Sequence, residues 1–310
     1  MLSIFFKRIF LAIPVLFAVA SITFFLIKLA PGGPFDADRA VSPQVLKNLN
    51  EAYNLDASNW EQYLDYMSGL VRGDLGPSFR FPGRSVSEMI STGLPVTFEL
   101  AFYAILIALV MGVISGVIAA LKRNTYLDFI PMAIAMIGIC VPTFLMGPLL
   151  VLIFGINLEI LPVSGWGQLA GDKILPSLTL GFAYAAYIAR LSRGGMLEIL
   201  NQDFIRTARA KGLSESMVVM KHAMQGGLIP VVSFVGPAIA GLLAGSFVVE
   251  TIFQIPGIGR FYVQAAFNRD YTLILGMTIF LSTLIIIFNL ISDLISIWLN
   301  PKLRDEVSNG

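Results

Sequence analysis

Six stretches of this chain, roughly residues 9–29, 94–120, 129–155, 174–191, 229–250 and 273–299, are apolar for long enough to cross a bilayer as helices. No other feature limits the fold as sharply. A soluble domain carries about 45–50% apolar and roughly 25% charged residues. Here 56% of residues are hydrophobic and 13% are charged. So few charges cannot cover a globular surface, and a lipid bilayer is the solvent that accommodates the rest. The expected class is an all-α polytopic membrane protein with six transmembrane helices. Pro142, Pro148 and Gly155 mark the third stretch as one that can break.

Lys7 and Arg8 precede the first stretch as they would in a signal peptide. Its apolar run is too long for one, however, and Lys28 stands where a small residue would be needed before cleavage. It reads as a retained anchor, residues 1–30. Lys and Arg mark the cytoplasmic side. They fall at Lys7/Arg8, at Lys122/Arg123, in the loop from Arg190 to Lys221 and at Lys302/Arg304, which puts both termini in the cytoplasm. The 31–93 segment then lies outside and is too long for a plain connector. It is expected to fold as a small cap of helices with Tyr53, Trp60, Tyr63, Leu64 and Leu70 on its apolar side. Residues 94–300 form the membrane core, and 301–310 a cytoplasmic tail.

Chemistry has few places to reside. The net charge of +1 gives nucleic acid binding no support. One Cys and one His exclude an internal disulfide and argue against a Cys/His metal site. Cys140, inside an apolar run, reads as a small buried hydrophobe. A Ser/His/Asp triad would have to use His222, in the basic loop. No G-x-x-x-x-G-K-[ST] phosphate loop is present, so the chain carries no such ATP site and any pumping ATPase is another polypeptide. No catalytic residue, cofactor or metal is assigned.

The informative segment is the loop 203–224. Asp203 is a fair N-cap, and Phe204, Arg206, Thr207, Ala208, Arg209, Ala210 and Lys211 lie in helix-compatible sequence. Gly212 suits the left-handed position that ends a helix. Arg206 and Arg209 share one helix face. Leu213, Met217, Met220 and Met224 then recur at spacings of four, three and four, as an apolar stripe. Two readings stay open: a docking knuckle for a cytoplasmic partner, or a positive-inside signal whose stripe packs on the chain's own helices.

At this loop a resemblance becomes specific. Arg206 to Leu213 reads R-T-A-R-A-K-G-L, followed by His222-Ala223. It is similar to the peptide-permease branch of binding-protein-dependent ABC importers, whose general loop has Glu-Ala-Ala, three residues, Gly, nine residues and Ile-x-Leu-Pro. Gly212 sets the register, and the general consensus is poorly kept at Arg206, His222 and Met224-Gln225. Leu29 to Phe35, Arg72 to Gly76, Leu94 to Thr97, Ile188 to Arg193, Glu250 to Gly259 and Arg269-Asp270-Tyr271 resemble the same branch. Over roughly 1–303 the chain looks like a B-type permease subunit of a bacterial oligopeptide importer, with dipeptide-type and nickel-type permeases close alternatives. The resemblance implies a type I ABC importer permease fold in the bacterial inner membrane. It also implies a homologous C-type permease partner, an external peptide-binding protein, and two cytoplasmic ATPases that would bind ATP and Mg. Asp203 to Leu213 and Met217 would seat against an ATPase.

The remaining marked residues have bland and sharp readings. Gly112-x-x-x-Gly116 and Gly241-x-x-x-Gly245 are small-residue patterns for static packing or for a sliding interface. Glu99 and Glu250, near the outer ends of spans, are expected to be solvated, and Asp293 to cap or to contact another chain. Pro256-Gly257 is read as a turn shaping a re-entrant outer segment. An ion-driven secondary transporter is the rival from another class; it calls for intramembrane carboxylates and matching broken helices in two halves, which the sequence does not display. An intramembrane enzyme stands further off.

Overall fold

A computed structural model describes residues 2–30, 32–35 and 53–299. The 301–310 tail, and positions 36–52 of the cap with Arg39 and Lys47, lie outside the described residues. So do Lys302 and Arg304.

The described chain is helical. In order come α1 (Leu2–Leu29), α2 (Asn59–Val71), α3 (Val86–Leu121), α4 (Tyr126–Cys140), α5 (Thr143–Leu150), α6 (Ile174–Leu200), α7 (Asp203–Ala210), α8 (Ile229–Ile252), α9 (Ile258–Asn268) and α10 (Tyr271–Leu299). Five of these, α1, α3, α6, α8 and α10, are long and apolar enough to cross a membrane. The third predicted stretch is not one helix. Val141 is extended (φ −82°, ψ 119°), and α4 meets α5 with its π-helical continuation Val151–Asn157 at 112°. Pro142 is the cause: it has no N–H to donate and pushes the residue before it out of the helical region. Pro148 lies inside α5, and Gly155 inside the π-helical turn. Counting the bent pair as one span gives six.

Capping explains two helix starts that hydropathy misses. The Ser85 hydroxyl accepts from the Glu88 N–H at 3.1 Å, so α3 begins at Val86 rather than at the apolar edge near residue 94. Ser58 and Glu61 form a reciprocal capping box on α2. That helix is the one described within the expected cap, and its packing differs from the sequence reading. Tyr63 is buried against Phe24, while Trp60 and Leu64 are exposed. The Trp60 ring instead stacks on Tyr63 at 5.4 Å. Cys140 is exposed too, because it falls at the bend where α4 ends.

α3 and α6 pack along most of their lengths and form the heart of the bundle with α8 and α10. Small residues make the approach possible. A Cβ on Gly112 would sit 2.7 Å from the Ala185 carbonyl, one on Gly116 2.4 Å from that of Ala189, and one on Gly181 2.5 Å from that of Ala104. In lipid, such van der Waals contact is what holds helices together. The Gly112/Gly116 pattern is therefore a close packing seam in this structure. Gly116→Ala should destabilise the detergent-solubilised chain by about 1–3 kcal/mol, the usual cost of overpacking. A thermal aggregation midpoint reads this directly, and an unchanged midpoint would contradict the seam. The second pattern behaves differently: Gly241 abuts the Tyr184 hydroxyl and Gly245 has nothing within 4 Å.

Candidate functional site

The segment joining α6 to α8 runs through α7, the short helical turn Glu215–Met217, a π-helical stretch Val218–Ala223 and a last turn Met224–Gly227. Asp203 is the first residue of α7, not its cap; Gln202 takes the cap position with extended backbone (φ −75°, ψ 152°). Asp203 then serves the first turn, where a carboxylate suits the helix dipole. Its carbonyl accepts from the Thr207 hydroxyl at 3.0 Å. Arg206 lies 3.4 Å from the Asp203 carboxylate, with both side chains mostly in solvent, so this pair contributes little.

Only two residues of α7 face the bundle. Ile205 and Ala208 are buried among Ala120, Met196, Val218, Val219 and Ala223. Phe204, Arg206, Thr207, Arg209, Ala210 and Lys211 are exposed. An aromatic ring half in solvent on a short basic helix is an unusual surface for a polar loop.

The turn after α7 is tightly specified. Gly212 has φ +80°, and its N–H donates to the Arg209 carbonyl at 2.9 Å. Arg209 closes the turn through a two-pronged pair with Glu215, at 3.1 and 2.6 Å. That guanidinium holds the Glu215 carboxyl below its ordinary range. Ser214 caps the following turn through the Met217 N–H at 3.4 Å.

The expected stripe of Leu213, Met217, Met220 and Met224 does not form one face. Met217 and Met220 are exposed, and Val218, Val219 and Ala223 are buried instead. A stripe at spacings of four, three and four needs about 3.6 residues per turn. The π-helical stretch Val218–Ala223 is wound more loosely and rotates the inward face. The loop therefore presents Phe204, Met217 and Met220 outward beside its basic residues.

Beneath the loop, Arg193 of α6 grips Asp128 of α4 through Nε at 2.6 Å and Nη2 at 2.8 Å. The Asp128 carboxylate is buried and also accepts from the Asn124 N–H at 3.0 Å. A forked arginine–carboxylate pair is among the stronger polar contacts available. It anchors the α3–α4 turn to α6, so the loop stands on a stiff base. Sequence reasoning passed over this pair. Its signal was an acidic residue at the edge of an apolar run.

At the opposite end of the bundle, Glu250 is buried rather than solvated. Its carboxylate accepts from the Thr97 hydroxyl at 2.8 Å, the Gly259 N–H at 2.7 Å and the Arg260 N–H at 3.1 Å. The Thr97 oxygen in turn accepts from the Ile258 N–H at 3.0 Å. These contacts fix the start of α9, the helix that follows the Pro256-Gly257 turn. Glu99 is paired as well, with Lys173 at 2.5 Å and the Trp166 indole at 3.0 Å. Asp293 meets Arg8 of the same chain at 2.7 Å, where an interchain or capping contact was expected. Among the described residues no group of three His, Cys, Asp or Glu could hold a metal ion.

Residues 108–305 match the family described as binding-protein-dependent transport system inner membrane component. Residues 1–101 match its N-terminal companion. The chain is 45% identical over 305 residues to the oligopeptide transport system permease protein OppB of Haemophilus influenzae, covering 98% of this chain and 100% of that one. Against the protein of the same description in Escherichia coli K12 the identity is 44% with the same coverage. The dipeptide transport system permease protein DppB of Bacillus subtilis is 41% identical over 298 residues, covering 96% of each. Among solved structures, the fold is similar to a chain of the inward-facing MetNI methionine ABC transporter. That match has TM-score 0.56 and 19% identity, and covers 68% of this chain and 96% of the other.

Proposed function

The chain belongs to the binding-protein-dependent transport system inner membrane components, and from that premise we propose that it is the B-type permease half of an ATP-driven oligopeptide importer. The observation that carries the reading is the 45% identity along the whole chain to an oligopeptide permease. The 41% identity to a dipeptide permease supports a second reading, in which the cargo is shorter.

In this reading the loop end of the bundle faces the cytoplasm, and both termini lie there. A homologous C-type permease completes the pathway, two cytoplasmic ATPases hold ATP and Mg, and an external binding protein delivers peptide. The segment Asp203 to Leu213, with Met217, docks in a groove of one ATPase. The exposed Phe204, Met217 and Met220 supply apolar contact, and Arg206 and Lys211 supply charge. Closure of the ATPases on ATP then displaces the two loops, and the permease halves rock between inward- and outward-facing states. Energy enters as a difference in contact between the two states, as any such shift requires.

Reconstitution of the five-part assembly tests the reading. ATP-dependent uptake of labelled tri- to pentapeptides is expected, exceeding that of dipeptides at least about tenfold in kcat/KM. Preference for dipeptides would favour the second reading. Accumulation of peptide by this chain alone in liposomes, without nucleotide, would overturn both in favour of an ion-driven carrier.

A further inference from the structure

Two tyrosines on α6 sit at a depth where tyrosine is out of place. Tyr184 and Tyr187 are three residues apart and so lie on one helix face, the one turned toward α8. Their rings lie 6.5 and 6.1 Å from that of Phe234. The Tyr184 hydroxyl reaches α8 at Gly241, where an added Cβ would come within 2.3 Å of it. Gly241 lies midway along the 24-residue α8. At about 1.5 Å per residue, that places the hydroxyl roughly 17 Å from either end of the helix, near the bilayer centre.

Neither phenol oxygen has a hydrogen-bond partner among the described residues. Tyrosines that anchor a helix in lipid sit at the interface, with the hydroxyl among headgroups. A hydroxyl facing hydrocarbon at mid-depth would lose its hydrogen bonds with nothing in return. The lipid-like surface of this chain looks different: Phe102, Leu106, Val110, Ile114 and Ile118 run at four-residue spacing along α3, exposed and wholly apolar. Tyr187 is 46% exposed, and Gly245 of α8, one turn beyond the Gly241 that meets Tyr184, has nothing within 4 Å of an added Cβ. The two helices that carry this face, α6 and α8, are the pair joined by the loop of the candidate site.

We propose that Tyr184 and Tyr187 line the aqueous translocation path and hydrogen-bond the main-chain amides of an extended peptide. A phenol hydroxyl both donates and accepts, so it serves a peptide N–H or C=O in either register. Main-chain groups recur whatever the side chains, and the open space at Gly245 leaves room for those. The site would therefore hold peptides with little sequence preference. This inference rests on the peptide-import reading above.

Cysteine labelling in the assembled importer tests it. On a Cys140→Ala background, which removes the chain's one cysteine, Tyr187→Cys and Gly245→Cys are exposed separately to a charged, membrane-impermeant methanethiosulfonate. Both are expected to react at least about tenfold faster than Phe102→Cys or Ile114→Cys, and tetra-alanine supplied with the binding protein should slow them. Rates no higher than those of the α3 positions, as lipid or a partner helix covering this face would give, overturn the path assignment. Reaction without protection by peptide overturns the cargo contact. The double substitution Tyr184→Phe with Tyr187→Phe keeps the rings. It should raise the peptide KM by about tenfold at an unchanged amount of assembled complex, and an unaltered KM contradicts the hydrogen bonds. If the parent assembly moves no peptide at all, the peptide-import reading fails and the peptide contact falls with it, whereas the labelling rates, which are independent of cargo, still decide whether this face is aqueous.

Discussion

Gly212→Pro should reduce ATP-driven peptide uptake by the reconstituted importer at least about tenfold while the chain still inserts and assembles, a loss confined to coupling. The position cannot be proline. Its φ is +80°, whereas a proline ring holds φ near −65°. Its N–H also donates to the Arg209 carbonyl, and proline has none to give. The substitution must therefore reopen the turn that Arg209 and Glu215 close, and swing α7 away from the seat formed by Ile205 and Ala208. Yet nothing lies within 4 Å of Gly212 that a larger residue would strike, and the membrane helices are remote, so insertion has no reason to fail. Ala208→Asp reaches the same outcome by another route. It places a carboxylate among Val218, Val219 and Ala223, where burying a charge is costly, and expels the helix from its seat. ATPase activity that persists while peptide uptake collapses is the expected signature. Normal uptake by both variants would remove the loop from the mechanism.

The membrane helices were legible because their signal is long and redundant: about 20 apolar residues cannot be mistaken for a soluble element. The edges were less so. The start of α3 is set by one serine hydroxyl at Ser85 and not by hydropathy, so the apolar run gave a boundary near residue 94. The third span was flagged as breakable, and Pro142 breaks it, but a 112° bend is a tertiary quantity that a local signal cannot contain. In the loop, the left-handed glycine was readable because only a residue without Cβ adopts that backbone cheaply. The methionine stripe was misread for the opposite reason. A loosely wound turn at Val218–Ala223 leaves no mark in composition, and it changes which residues face inward.

The carboxylates taught a related lesson. Glu250 is expected to be solvated and Asp293 to cap or to contact another chain; both instead find a partner within this chain, as costly ionisable groups at the ends of spans do. Which partner could not be read, since Thr97 lies 153 positions away from Glu250 and Arg8 sits at the far end of the chain from Asp293. Resemblance did better than periodicity here. The Leu94 to Thr97 and Glu250 to Gly259 segments that matched the peptide-permease branch prove to be the two halves of one hydrogen-bonded cluster.

That cluster supports the second large effect. Glu250→Ala should cost about 3 kcal/mol or more of stability, because it orphans several buried donors at once, each worth roughly 1–3 kcal/mol. The Gly259 and Arg260 N–H groups are free donors in the first turn of α9, after that of Ile258, and in the wild-type chain they point at the carboxylate, as helix N-termini do toward anions. Bulk water does not reach these donors, since Glu250 and Thr97 are both fully buried. The surrounding glycines are there for the same contact: a Cβ on Gly257 would sit 2.4 Å from the Glu250 carboxylate, and one on Gly259 2.4 Å from the Phe247 Cα. Glu250→Gln should be much milder. Its amide oxygen can still take the two backbone donors, and its NH2 can face the Thr97 oxygen. Thr97→Val removes the donor to Glu250 and the acceptor for Ile258 together, so the pair Thr97→Val and Glu250→Gln should couple by at least about 1 kcal/mol in a double-mutant cycle. Unfolding in mixed micelles at graded denaturing detergent measures all four. Equal stability of the alanine and glutamine variants would mean that the hydrogen bonds of this side chain hold nothing, and that α9 is held by its apolar face, Ile258 and Ala265, against Met89 and Leu273.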